Sequence, residues 1–222
     1  MADRRLRPET VVVIGLGRFG TAVARELQAI GHEVLGIDTD EDLVQSASAE
    51  LDLVVQGDAT DVTVLRQLGV GRVQHAVVAI GDALQASILA TAALTDLEIS
   101  DIWAKAQTEQ HARILERVGA HHVVFPEREV GERVAHRVTG TMLEYFEIDE
   151  HFALVETKVP ARYAGRTLLE SGIRKDFDVN VVGVRPEGGR FGHVEARTVL
   201  GANDVLLVSG DVRRVERFAT EA

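Results

Sequence analysis

Three glycines carry the most specific chemical signal in the sequence. Gly15, Gly17 and Gly20 follow an apolar, β-branched run and precede an amphipathic segment. In such a place the first glycine permits a tight turn, the second lets the backbone approach phosphates, and the third allows a helix to pack closely on the strand. The helix would offer unpaired N–H groups to an anion. The spacing therefore predicts a dinucleotide-type phosphate site, and the alternative is a glycine turn without a ligand.

Two charged residues narrow the kind of ligand. Asp38 ends the next apolar run, 18 residues after Gly20, where an acid accepts hydrogen bonds from both ribose hydroxyls and repels a 2′-phosphate. Arg18 stands at the start of the predicted helix, where a cation is unfavourable unless an anion lies nearby. Asp38 therefore favours an adenosine ligand without a 2′-phosphate, which disfavours NADP. Arg18 indicates that the ligand carries more negative charge than a glycine turn alone would hold.

Two further loops are predicted at the same edge of a sheet. Residues 57–60 and 79–82 follow the third and fourth predicted strands, and ligands of such sheets bind at the carboxyl ends of the strands. These loops can therefore flank an adenosine. For Asp58 and Asp82 helix N-capping is an equal alternative, because Asp at a strand-to-helix turn often caps the helix.

A repeating rhythm of short β-branched runs and amphipathic stretches must position these loops. It predicts strands over residues 11–14, 33–38, 53–56, 75–80, 102–106 and 122–125, with helices over 18–30, 41–49, 62–68, 84–97 and 109–118. Alternating strands and helices give right-handed crossovers and a doubly wound parallel sheet. Residues 1–126 are therefore predicted to be an α/β domain of the Rossmann type.

After residue 126 the pattern becomes helical and then strand-like. Apolar residues spaced by four at Val130, Val134, Val138 and Met142 predict one amphipathic helix over 127–146, within a linker of 127–147. Strand-like runs at 153–159, 180–185 and 205–208, a glycine turn at 188–189 and a helix over 212–219 follow. We therefore expect a small, separate α+β domain over 148–222, which oligomerisation would help to stabilise.

Composition excludes several classes of protein. The chain has 222 residues, of which 45% are hydrophobic and 27% charged, so two domains can bury cores. A formal net charge of -11 argues against a nucleic-acid binder. The absence of cysteine excludes disulfides and fits a reducing compartment. Neither a signal peptide nor a run of about 20 apolar residues is recognised, which predicts a cytoplasmic chain without direct membrane insertion.

The sequence contains no recognisable catalytic pattern. A dehydrogenase needs a general acid or base beside its nicotinamide, whereas the eight histidines are scattered, and His121 and His122 would point to opposite faces of a strand. We therefore predict that the protein is not an enzyme, and the alternative is a small NAD(H)-dependent oxidoreductase or an NAD(H)-sensing regulator. A redox-sensing transcription regulator is disfavoured, because neither a helix-turn-helix pattern nor a basic face is recognised.

Several segments carry a resemblance to a known family. They are residues 13–20, 31–35, 79–87 and 102–107, followed by 114–116, 119–120 and 125–127. With them the chain resembles the RCK-domain regulatory subunits of bacterial Ktr and Trk potassium uptake systems, of the KtrA type, over nearly its whole length. The resemblance implies an N-terminal RCK domain that binds ATP or ADP, a crossover helix that exchanges with a neighbour, and a C-terminal RCK domain.

The resemblance also implies partners and ligand contacts. Such subunits form dimers that assemble into octameric rings and dock on a membrane potassium-translocating subunit of the KtrB or TrkH kind, at the inner face of the cell membrane. Arg18 would reach the terminal phosphate of a neighbour's ATP, and Glu127 would help to hold a magnesium or calcium ion beside the phosphates. The pair Arg18 and Phe19 favours nucleoside phosphates over the NAD(H) of the Trk branch.

The motifs and the resemblance together give the candidate site residues. The nucleotide site is expected to contain Gly15, Gly17, Arg18, Phe19, Gly20, Asp38, Thr39, Gly57, Asp58, Ala59, Thr60, Ala79, Gly81, Lys105 and Glu127, the last also as metal ligand. Some relatives bind cyclic di-AMP, in a pocket that is resembled here by Leu168, Leu169, Arg174, Asn180 and Val181. Because Leu and Val are also ordinary core residues, a pocket without a ligand is the alternative there.

Overall fold

A six-stranded parallel sheet forms the first unit of the chain, which spans residues 1–127. The computed structural model describes residues 6–7, 9–138 and 142–221. The strands are β1 (Val11–Ile14), β2 (Val34–Asp38), β3 (Val54–Gln56), β4 (His75–Val78), β5 (Asp101–Lys105) and β6 (His122–Val124). They lie in the order β3-β2-β1-β4-β5-β6. The strand order therefore reverses between β1 and β4, where sheets of this kind bind their ligands.

Helices cover both faces of this sheet. They are α1 (Arg18–Ala29), α2 (Glu41–Ala47), α3 (Val62–Gln67), α4 (Leu84–Asp96) and α5 (Glu109–Val118), with a 3-10 turn at Val70–Arg72. Side chains alternate along a strand, so Val12 and Ile14 enter one buried cluster while Val13 enters another. Each fully buried aliphatic side chain contributes about 1.5–3 kcal/mol. The predicted doubly wound parallel sheet is confirmed.

The helix that follows β6 is shorter than predicted. It is α6 (Pro126–Val138), and instead of helix as far as residue 146 the chain forms strand β7 (Glu144–Asp149); residues 139–141 lie outside the described residues. β7 pairs antiparallel with the next strand, which buries Tyr145 opposite Val155. The prediction of helix over 127–146 was therefore wrong at its end, because strand pairing and this burial outweigh the four-residue spacing that reaches Met142.

A four-stranded antiparallel sheet forms the second unit, which spans residues 128–222. After β7 it contains β8 (Phe152–Lys158), a 3-10 turn (Ala161–Tyr163), α7 (Leu168–Ser171), α8 (Ile173–Phe177), β9 (Asn180–Arg185), β10 (Val205–Asp211) and α9 (Val212–Ala219). The strand order is β7-β8-β10-β9, and α9 packs on β8 and β10 through Val215 and Phe218. The expected α+β character is confirmed, whereas β7, α7 and α8 were not predicted.

No helix within the described residues is long and apolar enough to span a membrane.

Candidate functional site

The glycine loop after β1 has the geometry that its spacing predicts. Gly15 has φ +92°, and a Cβ there would lie 3.1 Å from the backbone of Ala79 and Ile80. A Cβ at Gly20 would lie 1.8 Å from the Gly15 carbonyl oxygen, so close packing of α1 excludes any side chain. A Cβ at Gly17, by contrast, would have no described heavy atom within 4 Å. Two glycines therefore serve the turn, and the middle one leaves open space for a ligand.

The peptide of Leu16 is fixed on both sides. Its N–H donates to Oδ2 of Asp38 at 2.6 Å, and its carbonyl accepts from the Thr21 hydroxyl at 2.7 Å. Oδ1 of Asp38 accepts the Asp40 N–H at 2.9 Å. Asp38 thus orders the glycine loop in addition to any contact with a ribose. Sequence reasoning missed Leu16 and Thr21, because hydrogen bonds of this kind leave no pattern in the composition or in the spacing of apolar residues.

The helix N-termini at this edge fall into two groups. Asp40, Asp61 and Thr108 cap α2, α3 and α5 with side-chain hydrogen bonds. Among the described residues, α1 and α4 have no such cap and no acid in their first turn. These two helices follow β1 and β4, the strands at which the sheet order reverses. Unpaired N–H groups and two positive dipole ends therefore converge where an anion can bind.

The loops after β3 and β4 hold the other predicted residues. Asp58 accepts the Thr60 hydroxyl at 2.7 Å and the Thr60 N–H at 2.9 Å, and these hydrogen bonds hold the pKa of Asp58 below its ordinary value. Asp82 accepts from the Gln107 side chain at 3.3 Å. The alternative of helix N-capping by Asp58 and Asp82 was therefore wrong, since Asp61 and Ala83 occupy the two cap positions. Contact of these two side chains with a ligand stays a prediction.

The remaining loop residues lie where strands of the same sheet end. Thr39, exposed after β2, accepts the Gln56 side chain on its carbonyl at 3.0 Å. Gly57 follows β3, and Ala59 is buried in the core. The N–H of Ala79 donates to the Ile14 carbonyl at 2.7 Å, which ties the β4 loop to β1. The structure thus gathers the predicted loops at one edge.

A buried ammonium lies at the end of β5. Lys105 is 8% exposed, and its Nζ lies 2.6 Å from Oε1 of Glu127 and 5.8 Å from the centre of the Phe19 ring. A Cβ at Gly81 would lie 3.3 Å from the same Nζ, so that glycine leaves room for the lysine. The hydrogen bond from Lys105, with the charges of Lys105 and Arg18, holds the pKa of Glu127 below its ordinary value. Two cations therefore act on one carboxylate.

The donor set of one chain does not fit a divalent cation. Magnesium and calcium require about six or more oxygen ligands, whereas the described residues contain no group of three His, Asp or Glu placed to hold a metal. Oε1 of Glu127 is also engaged by Lys105. The magnesium or calcium site expected at Glu127 stays a prediction that needs further oxygen ligands from outside the chain.

The second unit contains a separate cavity. Leu168 and Leu169 of α7, Arg174 of α8, and Asn180 and Val181 of β9 all line it, and its volume is about 730 Å³. Lys175 and Asp178 also line it, and Asp178 forms an ion pair with Arg214. The structure thus brings the five predicted residues together around one space, with apolar walls and two cationic side chains.

A polar cluster at the opposite edge of the parallel sheet was not predicted. The Asp101 carboxylate lies 3.0 Å from Nδ1 of His75 and 3.3 Å from Nε2 of His122, and it accepts Nε1–H of Trp103 at 3.2 Å. The rings of Trp103 and His122 stack with centroids 4.2 Å apart. His75, Asp101 and His122 begin β4, β5 and β6, and Trp103 lies two residues along β5. The cluster therefore ties three strands together away from the glycine loop.

Two domain families match the chain, TrkA-N over residues 11–126 and TrkA-C over residues 152–221. Ktr system potassium uptake protein C of Bacillus subtilis (strain 168) is 40% identical over 207 residues, which are 93% of this chain and 94% of that protein. Ktr system potassium uptake protein A of Vibrio alginolyticus is 33% identical over 199 residues, 89% of this chain and 90% of that protein.

Solved structures show the same fold. The GsuK channel bound to NAD has a TM-score of 0.63 at 21% sequence identity, and the match covers 96% of this chain and 39% of the channel chain. GsuK bound to ADP has a TM-score of 0.52 at 22% identity, over 63% of this chain and 36% of that one. This chain therefore spans well under half of those GsuK chains, and the likeness concerns the fold alone.

Proposed function

This chain belongs to the family of Ktr and Trk potassium uptake proteins, and on that premise we propose that it is a regulatory subunit that senses adenine nucleotide for a potassium transporter. The nucleotide binds at the carboxyl edge of the parallel sheet. A membrane potassium-translocating subunit is the partner, and the chain acts on it from the cytoplasmic face of the membrane. The protein is a regulator rather than an enzyme, because the site offers anchors for a ligand and its polar groups are engaged in holding the loop.

The pairing of two uncapped helix N-termini at the strand reversal carries the proposal. α1 and α4 leave their first N–H groups free of side-chain caps in the described chain, whereas α2, α3 and α5 use their own side chains as caps. A phosphate group accepts hydrogen bonds from such N–H groups and interacts favourably with the positive end of the helix dipole. The open space beside Gly17 lets the phosphate approach the backbone.

Charge at the site favours ATP or ADP over NAD(H). Lys105 adds a cation to the helix N-termini of its own chain, Arg18 of a neighbouring chain would add a second, and terminal phosphates carry more negative charge than a dinucleotide's pyrophosphate. Asp38 stands at the end of β2, where it accepts ribose hydroxyls and repels a 2′-phosphate. GsuK has been solved with NAD and with ADP, so an NAD(H)-sensing regulator is the alternative that the experiment must separate.

The assembly follows from the family resemblance. We infer that the chains form dimers and that these build an octameric ring, in which Arg18 of one chain reaches the terminal phosphate of a neighbour's ATP. Arg18 is exposed at the start of α1, as such a reach requires. ATP and ADP would then select different ring shapes, because only ATP offers the extra phosphate.

Titration of ATP, ADP and NADH into the wild type, Arg18→Ala and Asp38→Ala tests the function. We expect the wild type to bind both adenine nucleotides more tightly than NADH. Arg18→Ala should weaken ATP about tenfold while ADP affinity is kept, because the arginine addresses only the extra phosphate. Asp38→Ala should lose both nucleotides, because the ribose contact and the Leu16 brace disappear together.

Arg25→Ala is the matched control, because Arg25 is an exposed arginine of the same helix that pairs with Glu50. It should leave all affinities unchanged. Equal loss of ATP and ADP in Arg18→Ala would contradict the intersubunit role of Arg18. Tighter binding of NADH than of ATP would replace the proposed ligand by the NAD(H) alternative.

The cavity of the second unit supports a second ligand, cyclic di-AMP. Its volume of about 730 Å³ lies within the range of small-molecule sites, roughly 300–1,000 Å³. Leu168, Leu169 and Val181 provide apolar walls for a base, and Arg174 provides a cation for a phosphate. We propose that this site is independent of the nucleotide site of the first unit.

A further inference from the structure

One carboxylate of the chain already occupies the cationic part of the nucleotide site. Oε1 of Glu127 lies 2.6 Å from Nζ of Lys105, and the charge of Arg18 also acts on it. The Lys105 side chain is 10% exposed, whereas that of Glu127 is 70% exposed. The partners are thus unequal. The ammonium is fixed at the end of β5, and the glutamate is the partner that is free to leave.

A nucleotide phosphate and this carboxylate require the same donor. Both are oxyanions that accept short, charge-assisted hydrogen bonds from an ammonium. Nζ of Lys105 lies near Gly81, in the loop after β4, and near Phe19, at the start of α1. A phosphate that reaches this edge therefore meets a lysine that is already bound to an internal anion.

We infer that Glu127 is a built-in competitor for the nucleotide, and that binding exchanges its carboxylate for a phosphate oxygen on Lys105. The inference rests on the proposed nucleotide site and adds a regulatory step to it. No covalent bond changes. One charge-assisted hydrogen bond replaces another. Without a divalent cation the released carboxylate becomes hydrated, and with one it is free to serve as the metal ligand expected at Glu127. In both cases it stays in the first turn of α6, where the helix dipole favours an acid.

The exchange reaches the segment that leads to the second unit. Glu127 is the second residue of α6, and α6 runs on past residue 128, where the second unit begins. While Glu127 holds Lys105, the first turn of α6 is fixed to the end of β5. When a phosphate takes its place in the absence of a divalent cation, that turn loses its anchor, so occupancy of the nucleotide site alters the freedom of the connecting helix.

Calorimetric titration of ATP into the full chain, in buffer with EDTA and no divalent cation, tests the exchange. Glu127→Gln should bind ATP about fivefold tighter than the wild type, because a partly exposed ion pair no longer has to be broken. Lys105→Met should bind about tenfold more weakly, because the phosphate loses its ammonium. In the Lys105→Met background, the gain from Glu127→Gln should be much smaller.

Glu132→Gln is the matched control, because it removes one negative charge from the same helix at an exposed position. A gain in ATP affinity equal to that of Glu127→Gln would show a general charge effect and overturn the inference. Weaker ATP binding by Glu127→Gln, or the same gain without Lys105, would overturn it too. Should Lys105→Met fail to fold, the wild type and Glu127→Gln decide the question by hydrogen exchange.

Amide hydrogen exchange over residues 127–132 measures the release of α6. In the same buffer without divalent cation, ATP should speed exchange there in the wild type, whereas Glu127→Gln should exchange as fast without nucleotide as the wild type does with it. Unchanged exchange in both proteins would overturn the release. A wild type that binds no adenine nucleotide would overturn the proposed function as well, whereas binding without a gain in Glu127→Gln would overturn the exchange alone.

Discussion

The two candidate ligand sites of this chain are built from different parts of the polypeptide. At the edge of the parallel sheet the backbone makes the site, through the φ of Gly15, the open space at Gly17 and the uncapped start of α1. In the second unit side chains make it, with Leu168 and Arg174 among the residues that line the cavity. A backbone site restricts residue type at fixed positions, whereas a cavity lined by side chains accepts many sequences.

This difference explains what the sequence could predict. Only glycine fits at residues 15 and 20 of this turn, so their spacing specifies both the loop and the strand and helix beside it. The leucines and valine at the second cavity are the residue types of any core. That cavity was reached only through a family resemblance, and helices of four and five residues, α7 and α8, are too short to show a period.

Contacts between distant residues lie beyond any local pattern. The Lys105 and Glu127 side chains meet across 22 residues of sequence, and Asp38 braces Leu16 across the same separation. β7 was missed for a related reason, since its stability comes from pairing with β8 and not from its own period. The fold of the first unit was predictable because each of its elements agrees with its local sequence.

The largest effect on stability is expected at Gly20, where the glycine loop leaves no room for a side chain. Gly20→Ala should cost about 3 kcal/mol or more of unfolding free energy, because its Cβ would lie 1.8 Å from the Gly15 oxygen and α1 would have to move. Gly192→Ala, in the second unit with no described atom within 4 Å of its Cβ, should change it by less than about 0.5 kcal/mol. Calorimetric melting compares them, and similar costs would break the contrast between the two regions.

An intermediate effect is expected at the side-chain site, on binding rather than folding. Arg174→Ala should weaken cyclic di-AMP about tenfold by loss of a charged contact, while the melting temperature and ATP affinity stay unchanged, because the arginine is exposed. Arg190→Ala, at an exposed arginine outside the residues that line the cavity, is the control. A large loss of stability in Arg174→Ala would show that these residues serve packing of the second unit. Unchanged affinity for cyclic di-AMP would contradict its assignment to this cavity.

The smallest effect is a pH dependence of stability at Glu127, the last residue of the first unit. The pKa of Glu127 is held below its ordinary value of 4.5, first by the hydrogen bond from Lys105. The folded state therefore binds this proton less readily than the unfolded state. The stabilisation is present above about pH 4.5 and is lost as the pH falls through the lowered pKa.

Urea unfolding at neutral and acid pH measures this contribution as the difference between the wild type and Glu127→Gln. Because Glu127 is mostly exposed, the difference should stay below about 1 kcal/mol near neutrality, vanish in acid, and be much smaller at every pH in the Lys105→Met background. A difference that survives acid would mean that Glu127 acts by packing or helix capping. The exchange with phosphate would then lose the ion pair on which it depends, and the backbone site would need no internal competitor.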